Sequence, residues 1–93
     1  MAITSASEFE AVLTRVLLKI DRELVERRGA TRLEDARRII DKAQAIARDT
    51  AKLKAYQPQL LSAGEVLREE LGRDQELGEQ TWDLVDYIEY HLG

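Results

Sequence analysis

His91 is the only histidine in the chain, and so the only side chain whose ordinary pKa lies near neutrality. A phosphorelay histidine would sit mid-helix on an exposed face, with positive charge near to receive phosphate. His91 instead lies near the C-terminus beside Glu89, on the edge of an apolar stripe. That setting favours a structural role over phosphotransfer, general-base or metal chemistry. Glu79, Asp83 and Asp86 follow at i, i+4 and i+7 and share one helical face, where a hard cation could find oxygen ligands. No EF-hand loop spacing and no Glu-x-x-His pair accompanies them, so a solvated acidic face is the expectation. There is no cysteine for thiolate chemistry, no glycine-rich phosphate loop and no Ser-His-Asp set. The sequence therefore predicts a protein that is not an enzyme. It predicts no catalytic residue, no cofactor, no metal and no small-molecule substrate.

Two constellations point to binding instead. Arg27, Arg28, Arg32, Arg37, Arg38 and Lys42 cluster around one hairpin and could touch phosphates. Glu34, Asp35 and Asp41 interleave with them and the isoelectric point is near 5.0, which disfavours nucleic acid. The second constellation is aromatic. Trp82 and Tyr87 fall at opposite margins of an apolar stripe, and Tyr90 points nearly away from it. Amphipathic rings beside acidic residues suit a protein partner.

These groups need elements to hold them, and every strong pattern is helical. Over Glu8–Arg28 the residues Phe9, Leu13, Val16, Leu17, Ile20 and Leu24 form one stripe with 3.6-residue spacing. Ser7 is the expected N-cap and Gly29 the expected stop. A second, thinner seam of Ala11, Thr14, Leu18 and Val25 implies that this helix is covered from two sides, by its own chain or by a second copy. Thr31 to Glu34 reads as a capping box, opening a helix over 32–56 with a seam of Ala36, Ile39, Ala43, Ile46, Thr50 and Leu53. Pro58 should break it. A short third helix over 59–71 then starts at Pro58, tolerating Gly64 inside, or at Ala63 behind a Ser62 cap. Leu60, Leu61, Val66, Leu67 and Leu71 give it a buried side. Asp74 caps a last helix over 75–92.

The whole reads as one all-α domain, residues 1–93, in an antiparallel up-down bundle of four helices at about 8–28, 32–56, 59–71 and 75–92. Charge is lopsided: residues 1–56 carry +3 and residues 57–93 carry −7. That favours docking of one half on the other, within a chain or between chains. No apolar run approaches the roughly 20 residues of a membrane span and the N-terminus lacks a signal pattern, so a cytoplasmic location is expected. The leading functional expectation is a protein–protein interaction module, a homodimer or an adaptor. It would bind through Leu18, Val25, Trp82, Tyr87 and Tyr90. A nucleic-acid-binding regulator using the basic hairpin is the alternative, and a phosphotransfer domain using His91 the second.

Overall fold

The first long helix begins where Ser5, in extended backbone, turns its hydroxyl to accept the Glu8 amide at 3.2 Å. Glu8 reaches back to accept from the Thr4 hydroxyl at 2.7 Å, so the first turn is closed from both directions. A computed structural model describes residues 3–92, and within them every regular element is helical. Helix α1 spans Ala6–Glu26, α2 Thr31–Ala45, α3 Thr50–Ala55, α4 Gln57–Glu70 and α5 Gln75–Tyr87. A π-helical turn, Ile88–Leu92, finishes the described chain.

The sequence expectation of four helices is thus corrected to five, and the reasons are local. Around Ile46–Asp49 the hydrogen bonds shorten to three-residue spacing, as in Asp49 N–H to the Ile46 carbonyl. Asp49 then caps a new helix by accepting the Lys52 amide at 3.1 Å. Aspartate competes with the helical backbone and prefers this capping role. The expected 32–56 helix is broken there, two turns and more before Pro58. Pro58 sits in the first turn of α4, where a missing N–H is tolerated. Helix α4 is accordingly not short, and it carries Gly64 in its interior with Ser62 inside rather than capping. Two caps also move. Ser5 replaces Ser7, and the expected capping box at Thr31 is absent: Ala30 precedes α2 with no side-chain cap, and the Thr31 hydroxyl donates to the Gly29 carbonyl instead. Gly29, at φ +82°, supplies the left-handed residue that lets α2 fold back on α1.

Helix α1 packs on α2 and α5, and α4 packs on the same two. At about 1.5 Å per residue, the 21 residues of α1 need some 30 Å and so run along the 36 Å long dimension of the molecule. Between these four helices lies the core: Phe9, Leu13, Val16 and Ile20 from α1, Leu33 and Ile40 from α2, Leu60 and Leu67 from α4, Leu77 and Leu84 from α5. The short α3 turns Leu53 into that core and packs against the terminal π turn and α4. Thr50, expected in the core seam, is exposed, because the break rotates α3 out of phase with α2. Tyr87, expected on a partner surface, is only 7% exposed. Its ring lies 5.0 Å from that of Phe9, and α1 covers it. Leu61, expected to be buried, stands 37% exposed.

Candidate interaction surfaces

Helices α4 and α5 approach closely where Gly64 faces Thr81. A β-carbon at Gly64 would lie 2.6 Å from Cγ2 of Thr81, so the two helices meet at this pair without room for a methyl group. Thr81 is buried, and its hydroxyl donates to the Leu77 carbonyl at 2.8 Å, which leaves its methyl facing α4. Glycine inside a helix costs about 1 kcal/mol relative to alanine. The tight crossing gives that residue its reason.

Above the crossing, a small notch of about 10 Å³ lies among Leu61, Gly64, Thr81, Val85, Arg68 and Trp82. It holds roughly one water-sized group. Trp82 is 44% exposed, and the Arg68 guanidinium lies over its ring at 4.5 Å from the centroid. That geometry is a cation–π contact. Glu65 follows Leu61 by one turn. Glu79, Asp86 and Glu89 lie at −3, +4 and +7 from Trp82, hence on its side of the C-terminal helical stretch. All four carboxylates are exposed, and among the described residues none of them enters an ion pair. Tyr90 is exposed as expected, near the end of the chain.

The flank of α1 is plainer. Leu18 and Val25 are 55% and 73% exposed, and no other described part of the chain covers them. The neighbouring polar residues of the seam are tied to α2: Gln44 donates to the Thr14 hydroxyl at 2.6 Å, and Arg37 donates to Asp21 at 2.5 Å. Of the two ways of sheltering this seam, cover by the described chain is therefore ruled out.

The basic hairpin is largely spoken for. Arg37 pairs with Asp21, Arg32 with Glu69, Arg38 with Asp35 and Arg27 with Glu23. Hydrogen bonds to Glu69 and Asp21 push the Arg32 and Arg37 guanidinium groups still further above their ordinary pKa. Lys42 lies over the Tyr56 ring at 5.4 Å, and burial raises the pKa of that phenol. Pairs of this kind neutralise the field that would gather phosphates.

A groove of about 700 Å³ lies where the C-terminal half of α1 faces the α4–α5 loop. Lys19, Arg22, Arg27 and Arg73 meet Glu23, Glu69, Glu70 and Asp74 there. Lys19 bonds to Asp74 and Glu76, and Asp74 caps α5 by accepting the Leu77 amide at 2.9 Å. That amide, then Lys19, lowers the Asp74 carboxyl below its ordinary value against the opposing effect of burial. Interleaved charges of both signs hold the loop to α1 rather than presenting one sign to a ligand.

His91 is exposed and stacks on Tyr87, centroids 5.5 Å apart and planes 20° apart. Among the described residues, no group of three His, Asp or Glu side chains is placed to hold a metal ion, Glu79, Asp83 and Asp86 included. No described helix is long and apolar enough to cross a membrane. Compared with known families, curated proteins and solved structures, the chain matches none. Sequence reasoning named Trp82 but missed Leu61, Gly64 and Arg68. The available signal was a glycine inside a helical pattern, which costs about 1 kcal/mol relative to alanine and so calls for a packing reason.

Proposed function

We propose that this chain is a non-enzymatic protein–protein interaction module, an adaptor that works by presenting a helical surface. The observation that carries the reading is the α4–α5 face. There a half-exposed tryptophan, an exposed leucine and a notch between them are ringed by carboxylates that pair with no cation among the described residues. Interfaces gain most from aromatic side chains set among packed neighbours. Leu18, Val25 and Tyr90 are further contact residues in this reading. Single exposed aliphatic side chains are ordinary on a protein surface, so Leu18 and Val25 alone do not make an interface. The long helices belong, in the same reading, to an antiparallel up-down four-helix bundle, with α3 as a short link. A cytoplasmic location goes with it, since a chain without cysteine needs no oxidising compartment.

Light scattering on wild type and Leu18→Glu, with copurification from native extract by wild type and Trp82→Ala, tests the proposal. An adaptor retains a defined protein that Trp82→Ala loses. A homodimer through α1 doubles the mass, and Leu18→Glu halves it again. A chain that stays monomeric and retains nothing is not an interaction module.

A further inference from the structure

The asymmetry of charge is not used up inside the molecule. Three acidic groups of the second half reach cations of the first half: Glu69 pairs with Arg32, and Asp74 and Glu76 both pair with Lys19. Glu65, Glu79, Asp86 and Glu89 meet no cation among the described residues, and by helical register Glu65 lies on the side of Leu61 and the other three on the side of Trp82. The cation that does stand on that face, Arg68, is turned onto the tryptophan ring.

We infer, resting on the interaction-module reading, that the α4–α5 face takes a basic amphipathic helix of a partner protein. One apolar side chain of the visitor packs across Leu61 and Trp82 and covers the shallow notch between them, which admits no more than a terminal methyl group. Lysine or arginine side chains one turn to either side of it reach Glu79 and Asp86, and a third reaches Glu65. An acidic helix would meet like charge on every side, which costs affinity and encounter rate. A neutral one would leave the carboxylates unused. Burying the ring also displaces water from the exposed part of the one tryptophan in the chain, so binding reports on itself.

The test uses three synthetic helical peptides with leucine at the same i, i+3, i+4 and i+7 positions. Their polar positions are all lysine, all glutamine or all glutamate, and none contains tryptophan. Trp82 emission and the anisotropy of labelled peptide are followed on the full chain. The lysine peptide should shift the emission to the blue with saturation, and bind at least about ten times more tightly than the glutamine peptide. Leu61→Ser and the pair Glu79→Lys/Asp86→Lys should each weaken it about tenfold or more, while Ala51→Ser, at an exposed position of α3 that the face does not use, leaves it unchanged. Equal or tighter binding of the glutamine or glutamate peptide overturns the basic partner and leaves the interaction module standing. So does binding of the lysine peptide that ignores Leu61→Ser, which would be mere attraction to an acidic protein. An emission shift that follows protein concentration without peptide assigns the face to a second copy and also overturns it. If no peptide binds, the inference fails, and a monomeric chain that retains nothing from extract removes the broader reading as well.

Discussion

The outer flank of α1 and the face between α4 and α5 both expose apolar side chains, yet they are different kinds of surface. Leu18 and Val25 stand seven residues apart on one helix, and polar groups of the same seam are already bonded to α2. Leu61 and Trp82 come from two helices brought together by a glycine, with a notch between them and unpaired charge around them. Exposure alone is common to both. Convergence from separate elements, shape and a charged rim belong only to the second. A surface that needs a glycine at one helix crossing is more specific than one that needs only a helix.

The largest expected effect separates core from flank within α1 itself. Leu13 is fully buried and Leu18 more than half exposed, five residues along the same helix. Leu13→Ala should cost about 2–5 kcal/mol in urea unfolding, as large-to-small core changes do. Leu18→Ala should stay within about 0.5 kcal/mol, the usual range for surface changes. A Leu18→Ala loss of core size, dependent on protein concentration, would show that the flank is buried in an assembly and would erase the contrast between the two surfaces.

The next effect tests the crossing. In Gly64→Ala the new methyl meets Thr81, and overpacking typically costs about 1–3 kcal/mol. The gain in helix propensity, up to about 1 kcal/mol, offsets part of that. Thr81→Ser removes the opposing methyl while keeping the hydroxyl that donates to Leu77, so the double variant should recover most of the loss. Gly78, one turn before Trp82, has open space where a β-carbon would go. Gly78→Ala should therefore stabilise by up to about 1 kcal/mol. If both glycines respond alike, the close approach of α4 and α5 is not what fixes Gly64.

Which parts of the molecule could be read from residues alone follows from the range of the interactions. The α1 and α5 stripes repeat every 3.6 residues, and the core used them as the spacing implies. The break at Asp49 was hidden because Ile46 and Leu53 continue the α2 seam at i+7, so periodicity outvoted a good capping residue. Pro58 marked its boundary as expected: α3 stops at Ala55, and α4 opens with the proline in its first turn, the alternative that tolerates Gly64 inside the helix. Tyr87 looked marginal on its own helix, and only Phe9 of α1, at the other end of the chain, decides that it is core. The notch is less legible still. It depends on the depth of a helix crossing, to which one glycine is the sole clue.

Asp74 holds the opposite end of α5 from the exposed rings, and its effect is smaller and depends on pH. Asp74→Ala removes a cap and the Lys19 pair, at about 0.5–2 kcal/mol at neutral pH. Asp74→Asn should recover most of this, since the amide oxygen still accepts from Leu77. The carboxyl is lowered in the folded state, so its contribution is complete above its unfolded value of about 4. It is lost as pH falls through the lower folded value. The gap between wild type and Asp74→Ala should therefore narrow in acid, and a gap that widens instead would mean that the carboxylate is not the stabilising form.

The smallest effect sharpens the comparison most. Arg68 over Trp82 should contribute only about 0.5–1 kcal/mol to stability, as exposed cation–π contacts do. If the contact merely covers a ring, Arg68→Ala costs that amount and does nothing else. If the α4–α5 face receives a basic helix, removing Arg68 also removes a like charge that the visitor meets, and uncovers the ring it uses. Stability and binding should then move in opposite directions: unfolding at slightly lower urea, yet tighter binding of the lysine peptide. A variant that loses both would make Arg68 part of the contact surface rather than its cover. The flank of α1 has no ring for a cation to cover at Leu18 or Val25, and so offers no corresponding change of sign.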